Sequence, residues 1–547
     1  MSWEEISPDL SQNDKSRQEH SGGNITLESA GAEVHATCAC VVESPHRKGE
    51  IWASTDDGLV HVTRDDGASW QNVTPPEMPA LAYVGCVEIS PHDPDTVYLA
   101  ATRYKLADYR PYLFRSSDSG RSWQSISTSF PASEITRVLR ADPVRPGLLF
   151  VGTESGIYVT LDDGQAWMRM RGGLPVVPVY DMKITDSDLV VGTHGRSFWI
   201  LDDITPLRVL ADGRVETRLF PPRTTIRTRL HFGALGGVRA PVAFAITFGI
   251  GGGIATVERP DGTKVREHLD VGENPPNGAI VYYWLDDAAS GPVALTFRDA
   301  TGSTIVTLRS DDDTLAAARR PGTRRGLNRY VWDMRHPGPV RIDPSLAPLK
   351  NVPLASEPEA RPGPAVVPGE YRVELAVGST TGVAVFSIVK DPRLSITPED
   401  YALQFALLEK LNDRLSALND AVKRIRRING QLRALTERLG DGHADLAAKT
   451  DSAGKSLAAI EGVLVDVDRE SPRDVLRHPA GLNDTLVDLI NMAGIADMAP
   501  TVPTDAVSRE TMARVDAELA KLDALLVGDI AEINRTAAER SIAHVAE

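Results

Sequence analysis

Hydrophobic and polar positions change pattern twice along the 547 residues. Up to about residue 208, short apolar runs alternate with polar turns. Three pairs of runs have the same arrangement, in which a turn that contains proline separates two apolar runs. The turns inside these pairs are Glu43-Ser44-Pro45, Ile89-Ser90-Pro91 and Ala141-Asp142-Pro143. Proline ends a strand because it has no N–H to donate to the ladder. The pattern predicts repeated pairs of short β-strands.

A second repeat follows each pair and reads S/T-x-D-x-G-x-x-W. Its defining positions are Thr63, Asp65, Gly67 and Trp70, then Ser116, Asp118, Gly120 and Trp123, then Thr160, Asp162, Gly164 and Trp167. A fading copy, Ile200-Leu201-Asp202-Asp203, lacks the Gly and the Trp. The Asp positions lie 118 − 65 = 53 and 162 − 118 = 44 residues apart. Such a period is typical of β-propeller blades, which repeat every 40–50 residues or so.

The chemistry of this repeat is structural. The Asp carboxylate can accept backbone N–H groups two residues on, the Gly supplies a positive φ, and the Trp buries a large ring. We therefore expect hairpin turns, with the three carboxylates away from the propeller axis. Blades are predicted near residues 24–74, 81–128, 133–171 and 176–204.

These residues resemble the Asp-box, or BNR, repeat of sialidases, xyloglucanases and sortilin receptors. The wider sequence is similar to bacterial sortilin-like proteins, often labelled glycosyl hydrolases, and in particular to their C-terminal part. The resembling stretches include Ile6-Ser7-Pro8-Asp9-Leu10, Thr193-His194-Gly195-Arg196 and Gly326-Leu327-Asn328-Arg329. The resemblance implies a propeller fold, and it implies either an enzyme or a receptor, because fold does not fix function.

The start of the chain leaves two ways to complete the propeller. Ser2-Trp3-Glu4-Glu5-Ile6-Ser7 aligns with Ser69-Trp70-Gln71-Asn72-Val73-Thr74, so a strand over Trp3 to Ser7 has no blade of its own. It could complete the last blade beside Phe198-Trp199-Ile200 and remove the open sheet edges. Alternatively, the propeller is larger and earlier blades lie outside this chain, which is the interpretation we favour.

The remaining pattern predicts two further domains, giving 1–208 as propeller blades, 209–393 as a β-sandwich and 394–547 as a helical bundle. Short alternating strands with Gly and Asn turns favour an immunoglobulin-like sandwich, with a Pro-rich excursion near 347–367. Thr397-Pro398-Glu399-Asp400 begins a helix, and Leu403, Leu407 and Leu411 start a stripe that is typical of antiparallel bundles.

Composition excludes several classes of function. A net charge of −16 argues against a nucleic-acid partner. Cys38, Cys40 and Cys86 form neither a disulfide framework nor a metal-ligand array, and we expect buried thiols. No apolar run is long enough to span a membrane, and no cofactor motif is present. The N-terminus lacks signal-peptide features, so a cytoplasmic location is expected, or an extracytoplasmic one if family-like sequence precedes it.

No catalytic set is identifiable from the sequence. The carboxylates outside the repeat, namely Glu88, Asp108, Glu134, Glu154 and Asp181, carry no distinguishing motif. The binding candidates combine aromatic and basic side chains in an insertion and a blade turn: Arg103, Tyr104, Tyr109, Arg110, Tyr112, His194 and Arg196.

Three functions stay open. The chain is predicted to be a non-catalytic recognition protein for a peptide, protein or glycan, with a glycoside hydrolase as the alternative. As the third possibility, it is part of a split propeller that assembles with an N-terminal partner or with itself.

Overall fold

A computed structural model describes residues 4–19, 34–170, 172–211, 216–228, 242–247, 250–258, 264–268, 276–286, 291–315, 319–342, 362–439, 443–468 and 480–542. The chain divides into two compact units, Met1–Val215 and Glu216–Glu547. It is mainly β, with several small antiparallel sheets followed by a C-terminal helical region.

The first unit contains four antiparallel sheets, blades 1 to 4, each meandering in sequence order. Blade 1 holds β1 Cys38–Glu43, β2 Ile51–Thr55, β3 Val60–Thr63 and β4 Gln71–Asn72. Blade 2 holds β5 Tyr83–Ile89, β6 Val97–Arg103, β7 Asp108–Ser116 and β8 Gln124–Ser125. Blade 3 holds β9 Thr136–Ala141, β10 Leu149–Thr153, β11 Ile157–Thr160 and β12 Met168–Arg169. Blade 4 holds β13 Val179–Thr185, β14 Asp188–Thr193 and β15 Phe198–Leu201.

Each repeat closes the hairpin between the third and fourth strands of its blade. In blade 2 the Asp118 carboxylate accepts from the backbone N–H of Ser122 at 2.8 Å and from its hydroxyl at 2.6 Å. The acceptor therefore reaches four residues on, not the two expected. The Ser116 hydroxyl donates to Asp118 and accepts from the N–H of Gly120, both at 2.8 Å. Gly120 has a φ of +82°, a left-handed conformation that favours glycine.

The tryptophan of each repeat connects its blade to the preceding strand. The Nε1 of Trp123 donates to the carbonyl oxygen of Val73 at 2.7 Å, and Trp167 does the same to Ile126 at 2.8 Å. Trp167 is buried, whereas Trp70 and Trp123 are only half-buried, so the expected burial holds fully for one of the three.

Residues 4–10 take the place of the segment that ends a preceding blade. The Nε1 of Trp70 donates to the carbonyl oxygen of Ile6 at 2.8 Å, and a Cβ on Gly67 would lie 2.7 Å from the Cβ of Ile6. Val73 and Ile126 pack in the same way on Gly120 and Gly164. Residues 4–10 form no regular strand and lie on blade 1, so the proposed position beside β15 is wrong within this chain. Trp3 lies outside the described residues.

Blade 4 ends differently from the other blades. It has three strands, and Asp203 accepts from the backbone N–H and hydroxyl of Thr205 instead of closing a hairpin. The helix α1 Thr205–Leu210 follows, and its Arg208 donates to the fully buried Asp142 at 2.9 Å. This ion pair fixes the end of blade 4 against the turn that follows β9.

The four blades form an open arc. Their first strands pack in succession, β1 on β5, β5 on β9 and β9 on β13. Among the described residues no comparable packing joins β13 back to β1. Four blades alone therefore leave the ring open in this chain.

The second unit contains a two-layer β-structure. One sheet has the order β16-β21-β24, with β16 Arg218–Leu219, β21 Ala279–Leu285 and β24 Gly326–Trp332. The other has the order β17-β26-β25-β22-β23, with β17 Thr225–Arg227, β22 Val293–Asp299, β23 Thr304–Arg309, β25 Gly369–Val377 and β26 Thr380–Lys390. They share one core, in which Trp332 stacks on Phe297 with ring centroids 4.3 Å apart. The immunoglobulin-like topology stays a prediction.

A third sheet consists of β18 Val242–Thr247, β19 Ile250–Glu258 and β20 Lys264–His268. Most of the predicted Pro-rich excursion near 347–367 lies outside the described residues.

The helical region contains α2 Pro398–Arg438, α3 Ala444–Leu464, α4 Leu482–Ala493, α5 Val502–Leu525 and α6 Ala531–Glu539, with a π-helical turn Leu526–Ile530 between the last two. Thr397 and Asp400 form the reciprocal capping box that begins α2. Leu407 and Leu411 enter the bundle core, as the stripe predicts, but Leu403 is 60% exposed.

A buried ion pair connects the five-stranded sheet to the helices. The Arg227 guanidinium donates to Asp497 at 3.0 Å and to the carbonyl oxygen of Val366 at 2.8 Å. It also lies 4.7 Å from the ring centroid of Tyr401, whose hydroxyl donates to Asp497. Both charged side chains are almost inaccessible to solvent.

Candidate functional site

The first strand of every blade carries a bulge at the same register. The bulges lie between Cys38 and Cys40, Val84 and Cys86, Thr136 and Val138, and Val179 and Asp181. A bulge adds one residue and re-aims its side chain. The added residues are Ala39, Gly85, Arg137 and Tyr180.

Arg137 and Tyr180 are the centre of a continuous surface that crosses blades 2 to 4. The Arg137 guanidinium lies 4.4 Å from the ring centroid of Tyr180 and 5.1 Å from that of Tyr104. Tyr180 stacks on His194 with centroids 5.0 Å apart, and Lys105 lies 6.0 Å from the ring of Tyr83. We call this surface the aromatic strip, and its members are Tyr83, Tyr104, Lys105, Arg137, Tyr180 and His194.

The strip is rigid at its centre and open to solvent at its rings. Glu154 accepts from Arg137 at 2.7 Å, which holds the guanidinium between the two tyrosines. Tyr180 is 49% exposed and Tyr83 is 39% exposed. Exposed, immobilised rings supply apolar contact area at little cost in conformational entropy. The arrangement therefore suits a flat ligand that stacks on several rings.

The predicted insertion divides into a binding part and a supporting part. Asp108 accepts from Arg110 at 2.9 Å, from the Tyr112 hydroxyl at 2.6 Å and from Arg103 at 3.4 Å. The Arg110 guanidinium lowers the pKa of Asp108, and burial, assisted by the Asp108 hydrogen bond, raises the pKa of Tyr112 to about 12. These contacts hold the hairpin in shape, and Tyr104 and Lys105 are the residues of the insertion that belong to the strip.

A shallow cleft adjoins the strip at the insertion. Its volume is about 170 Å³, and it is lined by Arg17, His35, Tyr83, Arg103, Tyr104 and Lys105, among others. Pockets that enclose a drug-sized ligand measure roughly 300–1,000 Å³. The strip is thus an open platform with a basic recess, not an enclosed pocket.

The other sequence candidates do not join the strip. Tyr109 is 52% exposed, and among the described residues it makes no ring contact. The carbonyl oxygen of Arg196 accepts from Trp199 at 2.9 Å, so its backbone shapes the turn that carries His194. The structure therefore places Tyr104 and His194 on one surface, connected through Arg137 and Tyr180, and Arg103 lies beside Tyr104 in the cleft.

A charged cluster lies on the first strands of the same three blades. Arg140 donates to Glu88 at 3.3 Å and to Asp181 at 2.6 Å, so one guanidinium joins carboxylates from blades 2 and 4. Burial raises the pKa of Glu88, and the charge of Arg140 offsets part of this rise. Asp181 is 71% exposed. Two carboxyl groups with different environments are the pattern that glycosidases use for acid and base.

Sequence reasoning named Glu88 and Asp181, and Tyr104 and His194, but it did not show that Arg140 joins the first two or that Arg137 and Tyr180 connect the others. The strand register makes Val42, Glu88, Arg140 and Lys183 equivalent positions in successive blades. The sequence signal that could have revealed the cluster is at this position, where blade 1 has an apolar residue and blades 2 to 4 have charged ones. Glu134, by contrast, bonds locally to Ser155 and Tyr158.

The described part of the chain contains no group of three or more His, Cys, Asp or Glu side chains arranged to hold a metal ion. Cys86 is buried as expected, but Cys38 is exposed and Cys40 half-buried, whereas their register equivalents in blade 2, Val84 and Cys86, are buried. None of the described helices combines the length and the hydropathy that a membrane span requires.

No protein-family model matches the chain. A probable oligoxyloglucan-reducing end-specific xyloglucanase of Neosartorya fischeri is 29% identical over 140 residues, covering 24% of this chain and 17% of that protein. Xyloglucanase Xgh74A of Acetivibrio thermocellus is 25% identical over 179 residues, covering 28% and 21%. The chain thus spans about a fifth of the length of these curated relatives.

Among solved structures, the GH74 xyloglucanase from Xanthomonas campestris aligns with 64% of this chain and 47% of its own, at 13% identity and a TM-score of 0.25. The similarity in sequence to xyloglucanases rests on the two curated relatives and covers about a quarter of the chain.

Proposed function

We propose that the blades bind a xyloglucan-like oligosaccharide along the aromatic strip. The observation that carries this proposal is that Arg137 lies over two rings, the half-buried Tyr104 and the exposed Tyr180. Sugar rings present apolar faces that stack on tyrosine, and their hydroxyl groups can bond to Lys105, Glu154 and His194. The sequence similarity to xyloglucanases supports a glycan over a peptide.

The proposal also includes the domain organisation of the chain. The repeat geometry supports an Asp-box propeller over residues 1–208, followed by accessory domains at 209–393 and 394–547. A sortilin-like relationship would place a peptide on the strip instead. A polysaccharide ligand implies an extracytoplasmic location, and cell fractionation with an antibody to the chain tests it.

The binding experiment is a titration of the full chain with xyloglucan oligosaccharides, followed by calorimetry. We expect Tyr180→Ala and Tyr104→Ala each to weaken binding about tenfold, which equals about 1.4 kcal/mol. Tyr109→Ala is the matched control, because it removes an exposed tyrosine outside the strip. Unchanged affinity in both strip variants, or no binding by the parent chain, would refute the proposal.

Hydrolysis is a second candidate, and the Glu88–Arg140–Asp181 cluster favours it. Glu88, with its raised pKa, would be the proton donor, and Asp181 the base. New reducing ends released from xyloglucan measure this activity. Glu88→Gln and Asp181→Asn should each abolish it while oligosaccharide binding persists. Activity that survives both substitutions would exclude the cluster as the catalytic site.

A further inference from the structure

The open arc ends in a sheet that lacks its fourth strand. In blades 1 to 3, Val62, Arg115 and Val159 each pair with a residue of the fourth strand, namely Gln71, Gln124 and Met168. Ile200 is their equivalent in blade 4, because it pairs with Val190 as Val62 pairs with Trp52. Among the described residues no strand pairs with Ile200 on its other side. An unpaired edge of this kind is a template for another chain.

The outward face of blade 4 is apolar and exposed. Phe198 is 79% exposed and Ile200 is 59% exposed, on a face that the other blades bury against their neighbour. Exposed apolar surface on a sheet edge marks an interaction site.

The packing between blades 1 and 2 and between blades 3 and 4 indicates which residue would contact the open side of blade 4. A Cβ on Gly152 of blade 3 would lie 3.0 Å from the Cβ of Val179 on the first strand of blade 4. Ser54 of blade 1 contacts the carbonyl oxygen of Val84 on the first strand of blade 2 at 2.7 Å. Gly192 is the equivalent of Ser54 and Gly152 in blade 4. By analogy, Gly192 would contact the residue that precedes the added bulge residue on the first strand of another blade.

Blade 1 presents that residue unburied. Cys38 is the register equivalent of Val84 and Val179, and it is exposed. It lines a hollow of about 290 Å³ with Val41, Ile51 and Ile6, among other residues. Val41 is 65% exposed. The exposed face of β1 in blade 1 is therefore of the kind that packs on Gly152 in blade 3 and that is missing at Gly192 in blade 4.

The segment before blade 1 also fits the missing strand. Ile6 occupies the position of Val73 and Ile126 on the next repeat. Gln71 and Gln124 lie two residues before those positions, and Glu4 lies two residues before Ile6. Glu4 and Glu5 therefore have the spacing of a fourth strand opposite Ile200 and Trp199.

We propose that two copies of this chain associate head to tail, with blade 4 of each against blade 1 of the other. Residues 4–6 of each copy form the fourth strand of blade 4 in the second copy. Two arcs of four blades give a ring of eight, within the usual range of about 4–8 blades. Each interface joins two different surfaces, blade 4 of one copy and blade 1 of the other. The ring is closed because the two copies form two such interfaces and leave neither surface exposed.

The first test is the mass of the full chain in solution, measured by light scattering after size-exclusion chromatography at micromolar concentration. We expect twice the mass of one chain. Phe198→Asp should give single chains with an unchanged circular dichroism spectrum. A parent chain that stays monomeric up to tens of micromolar would overturn the proposal, including the case in which a different protein occupies this face.

A disulfide tests the register. Gly192→Cys in a Cys40→Ser background should form a covalent dimer with Cys38 of the second copy under mild oxidation. A Cβ on the equivalent Gly152 would lie 3.0 Å from the Cβ of Val179, so a small shift between the copies reaches the roughly 3.5–4.5 Å that a disulfide spans. Adding Cys38→Ser should abolish this dimer, and Thr185→Cys, an exposed position of the same sheet, should not form it. A disulfide within one chain, or a dimer without this crosslink, would refute the head-to-tail arrangement.

Discussion

The indole Nε1 of Trp167 donates to the carbonyl oxygen of Ile126 at 2.8 Å across 41 residues of chain. The ring also packs on Phe130, with centroids 5.2 Å apart. The same relationship joins Trp123 to Val73 and Trp70 to Ile6. One side chain per repeat therefore both fills the space between blades and satisfies a backbone acceptor, which explains why the motif ends in Trp.

Trp167→Ala should lower the free energy of unfolding by about 3–5 kcal/mol, the range for a buried aromatic side chain. Trp167→Phe keeps most of the apolar surface but leaves the Ile126 acceptor unpaired, so we expect a loss of about 1–3 kcal/mol. Trp123→Ala should cost less than Trp167→Ala because Trp123 is only half-buried. Urea melts followed by circular dichroism measure all three. Equal losses for Trp167→Ala and Trp167→Phe would contradict the packing role.

Asp118 should make stability depend on acid pH. Hydrogen bonds from the Ser122 hydroxyl and N–H lower its pKa from 3.8 to about 2 in the folded chain. A lowered folded pKa stabilises the fold above the unfolded pKa, and this contribution is lost as the pH falls from about 4 to 2. Melts between pH 2 and 6 should show that Asp118→Asn flattens this dependence. Asp186→Asn, at an exposed turn of the same unit, is the control; an equal change there would show that Asp118 is not responsible.

The buried pair of Arg227 and Asp497 should be sensitive to losing one partner. Asp497→Asn leaves the guanidinium without its counter-ion, and we expect a loss of about 3–5 kcal/mol. Arg393→Ala breaks an ion pair with Asp391 whose arginine is 79% exposed, and exposed pairs contribute about 0–1 kcal/mol. Thermal melts compare the two variants. If Asp497→Asn cost no more than Arg393→Ala, the pair would not anchor the sheet to the helices.

The sequence predicted the elements that repeat or follow a strong period. The box at Asp118, the proline turns and the capped start of α2 are local, so a short stretch of residues determines each of them. The position of Ile6 was also visible, because its neighbours copy those of Val73. The match between residues 2–7 and 69–74 could not show which blade Ile6 contacts, because that depends on the curvature of the arc.

The candidate site was predicted only in part. Tyr104 and His194 were singled out, yet Arg137 and Tyr180, which connect them, occupy bulges that have no local signature. Their proximity arises from the packing of β9 on β13. Long-range proximity of this kind requires the register of the strands and the stacking of the blades.

The segment before blade 1 should stabilise the first unit. Removing residues 1–10 deletes the acceptor of Trp70 and uncovers Ile51 and the buried Ala53, which line the adjoining hollow. We expect a lower melting temperature and stronger binding of a hydrophobic dye, because apolar surface becomes accessible. Trp70→Phe isolates the hydrogen bond, and its effect should be smaller, since residues 4–10 would still cover the sheet. If the deletion changed neither the melting temperature nor dye binding, residues 4–10 would not stabilise blade 1.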